Sequence, residues 1–284
     1  MGPKVLKLQA GVDGAGKVSA VQFDVYTDND LPGNGFNGQQ VIAMTPRYEF
    51  PHLLERVHYV SNPLRKGLLR AVGGPSNSFA YESMMDELAY LTHTDPLAYR
   101  LAHLTDPRQI AVLKAVANAI GWQTHTTPSG RGIGLSTFVD SFANTYVAGA
   151  AQVDVDKTTG AVKVVRVVRA IDCGLEVNPD AIKLQVEGGT IQSLSWCLKE
   201  QLKYGTDMVT TVDWESYPIL RFSEVPPIET ILINNPAYGP AGVGEPPTLG
   251  TAAMVANAIY DATGARLRAW PFTPPNVLAA MKAV

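Results

Sequence analysis

The sequence predicts an α+β fold in which mixed sheets and packed helices form two subdomains. Strand-like alternation occurs near residues 4–28 and again after residue 131, whereas helical periodicity fills much of the stretch between them. The polar connection at residues 123–130 separates these blocks. We therefore assign residues 1–125 to the first subdomain and residues 126–284 to the second.

Composition and charge narrow the classes of function. The net charge of −3 and the lack of a basic block argue against nucleic acid as a partner. No apolar run is long enough to span a membrane and no signal peptide is visible, so a cytoplasmic protein is expected unless a signal-bearing partner exports it to the periplasm. The five histidines share no ligand spacing, which predicts no protein-ligated metal. Cys173 and Cys197 are expected to be buried as small hydrophobic residues.

The first subdomain begins with a predicted hairpin and continues into short capped helices. Residues 4–28 predict two strands around a glycine-rich turn, and residues 27–51 are expected to form a loop. Two helices are predicted further on, each opened by an Asp N-cap followed by Pro, at Asp95 and Asp106. The second of these helices should end at Gly121.

The segment between the loop and the capped helices carries several polar side chains. Residues 67–75 predict an extended apolar piece that contains Arg70 and ends in Gly73 and Gly74, and a helix is predicted over residues 76–92.

In that helix an apolar stripe is expected from Met84, Leu88 and Leu91. Glu82 and Asp86 lie one turn apart on another face. They could form a metal or acid–base pair, but we expect one to cap or pair with an arginine and the other to be solvated.

The second subdomain is predicted to contain a strand-rich block and a long helix. Asn178 and Pro179 open the helix, in which Gln185 lies one turn ahead of Gly189. The pair Gly188-Gly189 indicates either close approach of another backbone or a ligand, or helix–helix packing through the glycines. The strand-like segments are residues 132–139, 145–155, 161–171, 219–222 and 228–233.

Glycines and prolines at residues 238–247 surround one carboxylate, Glu245. A helix is predicted from Thr248 to Thr263, with Gly264 as a left-handed stop. Because N–H groups at a helix N-terminus carry partial positive charge, this position would favour the ionised carboxylate, as a general base requires. A tight surface turn with a capping glutamate is the alternative that these residues leave open.

Three stretches therefore combine exposed backbone with a polar side chain. Such a set suits an elongated anionic cofactor held by backbone N–H groups, Arg and Gln, with Glu245 at its reactive end. The members are Arg70 with Gly73 and Gly74, Gln185 with Gly188 and Gly189, and Glu245 with Gly242 and Gly244.

These stretches resemble, in matching order, three signatures of the molybdenum-cofactor large subunit of the xanthine oxidase family. The first is residues 69–101, with LRAVGGP and FAYESMMDELA; the second is residues 171–189, with QVEGG; the third is GVGEPP at residues 242–247. The resemblance covers the chain from about residue 4. The most similar branch contains the β chain of isoquinoline 1-oxidoreductase and its aldehyde-dehydrogenase relatives.

The resemblance implies a molybdenum hydroxylase that oxidises an aldehyde or an N-heterocycle with water as the oxygen source. Glu245 matches the family glutamate that takes a proton from a molybdenum-bound hydroxide. Arg70, Gly73, Gly74, Gln185 and Gly244 match cofactor-binding positions. Val72 matches a substrate-pocket position where purine enzymes place an aromatic, which argues against a flat purine and slightly favours an aldehyde.

The resemblance also implies cofactors and partners. Molybdenum–molybdopterin, in its cytosine dinucleotide form, would be shared with a chain that supplies the missing half of the molybdenum subunit. The [2Fe-2S] clusters would lie on an iron–sulfur subunit, with a cytochrome or flavin subunit as a further candidate partner and a small molecule as substrate.

The chain departs from the family pattern in length and in one motif. Large subunits of this branch are more than twice as long and carry a glycine-rich segment, EMGQG, that is missing here. We therefore expect half of a split or processed subunit. A non-catalytic scaffold or assembly subunit that keeps the fold, and a stand-alone hydrolase that uses Glu245 with water, are the alternatives.

Overall fold

Two β-sheets and six α-helices make up the part of the chain that the computed structural model describes. That part comprises residues 4–27, 47–60, 67, 69–123 and 128–283. The predicted α+β fold, with mixed sheets and packed helices, is confirmed.

The first sheet has three strands. Strand β1 (Val5–Val12) pairs antiparallel with β2 (Val18–Thr27), and β2 pairs in parallel with β3 (Leu53–Tyr59). The predicted hairpin is thus confirmed. The predicted loop at residues 27–51 falls mainly on residues outside the described part of the chain, and β3 follows it without having been predicted.

The second sheet has four strands in the order β4-β5-β6-β7. The first three are antiparallel, with β5 and β6 forming the hairpin that the turn at residues 156–160 indicates, and β7 pairs in parallel with β6. These strands are β4 (Arg131–Asp140), β5 (Thr145–Val155), β6 (Val162–Asp172) and β7 (Ile228–Leu232).

The prediction of a strand at residues 219–222 is wrong. A short 3₁₀ turn, Phe222–Glu224, begins there instead. The carboxylate of Glu224 accepts the N–H of Arg221 at 2.8 Å, and this local bond replaces a sheet ladder.

The helices begin and end largely where the caps predict. Asp95, Asp106 and Asn178 each accept a backbone N–H with their side chains, and Gly121 adopts a left-handed conformation. The helices are α1 (Gly74–Leu91), α2 (Pro96–Ala102), α3 (Pro107–Ile120), α4 (Pro179–Leu198), α5 (Thr251–Thr263) and α6 (Pro274–Met281).

The second sheet lies between two helices. Helix α3 packs on β5 and β6, and α5 packs on β4 and β5. Because side chains alternate along a strand, Tyr146 and Ala148 join the cluster on the α3 side, while Val153 joins the cluster on the α5 side. Gly134 lets α5 approach, since an added Cβ would overlap the carbonyl oxygen of Met254.

For the carboxylates of α1 the predicted pairing with an arginine is confirmed, but the prediction that one of them is solvated is wrong. Glu82 and Asp86 are both buried, and both form ion pairs with Arg100, which is itself fully buried. Arg266 pairs with Asp86 as well, at 2.7 Å. Two arginines from outside the helix therefore stabilise charges that its sequence alone would place in water.

The apolar stripe of α1 ends one turn earlier than predicted. Met84 and Leu88 are buried, but Leu91 is 67% exposed at the end of the helix. Cys173 and Cys197 are both buried, as predicted, and burial raises the pKa of each thiol. None of the described helices is long and apolar enough to cross a lipid bilayer.

Helix α3 belongs to the first of the two predicted subdomains, yet it packs on the sheet of the second. The division at residue 125 stays a prediction.

Candidate active site

A strained turn at residues 70–73 precedes α1. Ala71 has φ 65 and Val72 has φ 46, both in the left-handed region, which is costly for a β-branched residue. The extended piece predicted here is therefore wrong. The turn directs the N–H of Ala71 to a carboxylate 174 residues later in the chain.

That carboxylate is Glu245, whose side chain lies on the exposed surface of the chain. Its Oε1 accepts the N–H of Ala71 at 2.9 Å. Among the described residues, Oε1 is the only oxygen of this carboxylate with a hydrogen-bond partner in the protein. The other oxygen, Oε2, is thus available to a ligand.

The loop around Glu245 enters α5 later than predicted. A three-residue 3₁₀ turn, Pro246–Thr248, follows Glu245, and Gly250 with φ 74 separates this turn from α5. The helix begins at Thr251, so the predicted start at Thr248 is wrong, and the N-cap of α5 is Gly250 without a side-chain capping bond. The Ala71 N–H is the donor that holds the carboxylate.

Arg70 connects three separate stretches of chain. Its Nε donates to the carbonyl oxygen of Gly244 at 2.5 Å. Its two terminal nitrogens donate to Gln185 at 2.8 Å and to Gln192 at 3.0 Å. Burial lowers the pKa of Arg70 and the nearby charge of Glu245 opposes that shift, so the guanidinium stays a cation at neutral pH.

The two glycines of α4 have different surroundings. At Gly189 an added Cβ would lie 2.8 Å from the Pro247 side chain and 3.4 Å from the guanidinium of Arg70. Close approach of another segment, one of the predicted explanations, thus applies to Gly189. An added Cβ at Gly188 would contact nothing, so its backbone is open to the surface.

The turn between β4 and β5 supports the other side of the Glu245 loop. Thr145 Oγ1 donates to the carbonyl oxygen of Gly242 at 2.8 Å. Asp140 accepts the N–H groups of Phe142 and Ala143, both at 3.0 Å, and so fixes the turn. Burial raises the pKa of Asp140, and the charge of Glu245 raises it further.

The structure brings together most, but not all, of the residues that the motifs select. Arg70, Gln185, Gly244 and Glu245 lie in one connected group on the surface. Gly73 and Gly74 are instead buried at the start of α1, and Val72 is half-buried in the strained turn. The assignments of these residues to cofactor, substrate or catalysis stay predictions.

Two site residues were missed. Gln192 lies seven residues after Gln185, which places both on one helical face, so the spacing could have revealed it. Asp140 gives no comparable signal, because a carboxylate at the end of a strand is common in surface turns.

The group combines donors suited to an anion with an adjacent carboxylate. It offers one cation, two side-chain amides and backbone that is open at Gly188 and Gly244, where an added Cβ would meet no atom. No cluster of three or more His, Cys, Asp or Glu side chains suited to a metal occurs within the described residues.

Comparison with known families gives two matches of the same kind. The chain matches the molybdopterin cofactor-binding domain over residues 2–104 and again over residues 109–226.

Curated relatives agree with these matches. The chain is 35% identical to one of the subunits of nicotinate dehydrogenase from Pseudomonas putida, covering 98% of this chain and 26% of that protein. It is 33% identical to the β chain of isoquinoline 1-oxidoreductase from Brevundimonas diminuta, covering 92% of this chain and 32% of that protein. The chain thus spans about a quarter to a third of the length of these relatives.

Solved structures show the same fold at low identity. Quinoline 2-oxidoreductase from Pseudomonas putida 86 superimposes with a TM-score of 0.85 at 14% identity, covering 98% of this chain and 62% of that chain. The aldehyde oxidoreductase from Desulfovibrio desulfuricans superimposes with a TM-score of 0.80 at 16% identity, covering 98% of this chain and 49% of that chain.

Proposed function

Because the chain belongs to the xanthine oxidase family of molybdenum hydroxylases, we propose that it supplies the catalytic base and part of the cofactor-binding surface of such an enzyme. The observation that carries the proposal is the convergence of Arg70, Gln185 and Glu245, from three distant motifs, on one surface. When bound, a molybdenum–pterin cofactor supplies the two-electron acceptor and the oxygen-transfer chemistry of a hydroxylation.

The proposed base is Glu245. Hydroxylation of a carbon with water as the oxygen source converts R–H and H₂O into R–OH, two electrons and two protons. Glu245 would receive one of these protons on Oε2, while the hydrogen bond from Ala71 to Oε1 keeps the carboxylate oriented. Since the Ala71 N–H binds Oε1, the other carboxylate oxygen, Oε2, can accept the proton.

The proposed cofactor surface is formed by Arg70 and the exposed face of α4. Arg70 provides the positive charge for an anionic pterin cofactor, and Gln185 is held beside it by a 2.8 Å hydrogen bond. The open backbone at Gly188 and Gly244 leaves room for a ligand to approach closely. The cytosine dinucleotide form of the cofactor is part of the proposal and rests on the family resemblance.

The proposed substrate is an aldehyde or an N-heterocycle. Among the relatives are enzymes named for nicotinate and isoquinoline, and an aldehyde dehydrogenase of Gluconacetobacter polyoxogenes that is 28% identical. Val72 offers an aliphatic side chain beside Ala71, and a small aldehyde needs no aromatic stacking partner there.

Further polypeptide must complete such an enzyme. The two cysteines, Cys173 and Cys197, are buried and lack the spacing of an iron–sulfur ligand set. We therefore propose that [2Fe-2S] clusters on a partner subunit accept the electrons. The nicotinate and isoquinoline relatives are both named as single subunits of their enzymes, which supports an assembly of several chains.

The decisive experiment is Glu245→Gln in the intact complex, because glutamine keeps the shape of the side chain but cannot accept the proton. We expect kcat for an aldehyde and for nicotinate, measured with an artificial electron acceptor, to fall by about 10²–10⁴-fold. Molybdenum and pterin content per complex should stay unchanged. Glu215→Gln, the same chemical change at an exposed position outside the Arg70 contacts, serves as the matched control.

Two results would contradict the proposal in different ways. Substantial turnover by the Glu245→Gln complex would remove Glu245 as the base. A wild-type complex that contains neither molybdenum nor pterin would favour the alternative of a scaffold that keeps the fold without catalysis.

A further inference from the structure

A second arginine contacts the segment that follows Glu245. Arg169 is part of β6 and is only 1% exposed. None of the ion pairs found among the described residues includes it. Burial lowers its pKa to about 10, so its guanidinium is still a cation at neutral pH. Burying a cation without a carboxylate partner costs free energy of folding, so the hydrogen bonds that offset this cost indicate what Arg169 does.

Those hydrogen bonds fix the exit of the Glu245 loop. The terminal nitrogen Nη2 of Arg169 donates to the carbonyl oxygens of Pro247 at 3.0 Å and of Leu249 at 2.9 Å. Both carbonyls precede the first residue of α5, Thr251. Without Arg169 these two buried carbonyls would lose a charged donor.

The sheet leaves space for this arginine at one glycine. Gly149 of β5 is the register partner of Arg169. An added Cβ at Gly149 would lie 2.5 Å from the Nη1 atom of Arg169 and 2.6 Å from the sulfur of Met254. The guanidinium is therefore confined between β5 and α5 and has little freedom to move.

We propose that Arg169 is a positioning residue for Glu245. The inference rests on the proposed role of Glu245 as a base. Arg70 donates to the carbonyl oxygen of Gly244, the residue before Glu245. Arg169 donates to the carbonyl oxygen of Pro247, two residues after Glu245. One nitrogen shared by two carbonyls makes charge-assisted bonds, which fix the loop more firmly than neutral donors would.

Three substitutions test the proposal in the intact complex. In Arg169→Met the two carbonyls lose their donor, and we expect kcat to fall about 10- to 100-fold with KM changed less than about threefold. Arg169→Lys keeps a cation and should restore kcat to within about tenfold of the wild type. Gly149→Ala displaces the guanidinium without removing it and should lower kcat in the same direction.

The matched control is Arg166→Met on the same strand. Arg166 is partly exposed and pairs with Glu229 at the surface, so its loss should leave kcat within about twofold.

Hydrogen–deuterium exchange of the same variants gives a readout that does not depend on turnover. We expect amides of residues 241–250 to exchange at least about tenfold faster in Arg169→Met, while amides in β1, β2 and α3 keep their protection. Unchanged exchange in the loop together with unchanged kcat would overturn the inference. Faster exchange throughout the chain, with no rescue by Arg169→Lys, would overturn it too, because that pattern indicates a purely structural role.

The experiments distinguish a failure of the base assignment of Glu245 from a failure of the positioning role of Arg169. If Glu245→Gln leaves turnover intact, the base assignment is wrong, whereas exchange of residues 241–250 still decides whether Arg169 holds the loop. If Glu245→Gln abolishes turnover and Arg169→Met has no effect on either measurement, only the positioning role is refuted.

Discussion

At the scale of single residues, Arg100 is a buried cation that depends on several hydrogen-bond partners. Its guanidinium contacts Glu82 and Asp86 and also donates to the carbonyl oxygens of Pro96 and Glu82. Glu82 in turn accepts hydrogen bonds from Tyr48 and from the N–H of Thr137. One arginine therefore joins α1, α2 and β4 through charged hydrogen bonds inside the protein.

Arg100→Met should destabilise the fold strongly, because it leaves two buried carboxylates without their shared cation. We expect a loss of about 3–5 kcal/mol in the free energy of unfolding, measured by urea denaturation at pH 7. Arg131→Met is the comparison, since Arg131 forms an exposed pair with Asp154 and its loss should cost less than about 1 kcal/mol. Equal effects of the two substitutions would show that the buried pairs are not special.

Individual site residues differ in how far the sequence could reveal them. Glu245 and Arg70 stand in glycine-rich motifs, which is why the sequence selects both as candidates, but the helix N-terminus predicted beside Glu245 is wrong. Arg166 and Arg169 are three residues apart on one strand, so alternation places them on opposite faces. Because helices cover both faces of this sheet, alternation alone does not tell which arginine is buried, and only the contacts with Pro247 and Leu249 identify Arg169.

At the scale of elements, α5 is bracketed by two left-handed glycines. Gly250 at its N-terminus has φ 74 and Gly264 at its C-terminus has φ 78. An added Cβ at Gly250 would lie 2.5 Å from the hydroxyl oxygen of Ser136, whereas at Gly264 the nearest atom is 3.8 Å away. The two positions share a backbone conformation but not a steric environment.

Gly250→Ala should therefore cost more stability than Gly264→Ala. Backbone strain alone predicts a loss of about 1 kcal/mol for Gly264→Ala. At Gly250 the clash with Ser136 adds to that strain, and we expect a total of about 2–4 kcal/mol. The double variant Gly250→Ala with Ser136→Gly should recover part of the difference in stability. Thermal unfolding of the two single variants and the double variant is the measurement. Equal losses of stability in Gly250→Ala and Gly264→Ala would rule out the clash.

Elements with local signals were predicted well, and those set by distant contacts were not. Asp95 and Asn178 indicate where their helices begin because each is an N-cap, and capping involves only neighbouring residues. The left-handed turn at Ala71 and Val72 has no such signal, because neither residue favours that conformation. Its geometry depends on contacts with Glu245 and Gly244, which no local pattern contains.

At the scale of the whole molecule, several ion pairs join the two predicted subdomains, and one of them links α3 to β6. Arg108 at the start of α3 pairs with Asp172 at the end of β6, and its guanidinium lies over the rings of Tyr146 and Tyr238. Burial alone would raise the pKa of Asp172, but hydrogen bonds from Arg108, the Gly174 N–H and Asn235 outweigh it and hold the pKa below the usual value of an aspartate.

This pair predicts a loss of stability in acid. Because the pKa of Asp172 is lower in the folded than in the unfolded state, its contribution is fully present above about pH 4 and is lost as the pH falls further. Asp172→Asn should lower the free energy of unfolding by about 1.5–3 kcal/mol at pH 7 and flatten its decline between pH 5 and pH 2.5. Urea titrations across that range provide the measurement.

The exposed pair partner Asp154 is the control for this titration. Its pKa is also lowered, by a hydrogen bond from Arg131, but the pair is solvated. Asp154→Asn should change the acid slope much less. If both variants kept the wild-type slope, the link between α3 and β6 would not be the source of acid sensitivity.

The 174-residue separation between Ala71 and Glu245 has a consequence for biosynthesis. A ribosome adds about 5–20 residues per second, so Arg70 and Ala71 emerge on the order of ten to thirty seconds before their partners. Gln185 and Gln192 emerge during that interval, but until its end the cation lacks Gly244 and the left-handed turn has no carboxylate to hold it. The proposed surface for an anionic cofactor would therefore be completed only after residue 245 has been translated, and a cofactor that needs this surface would be loaded after that point.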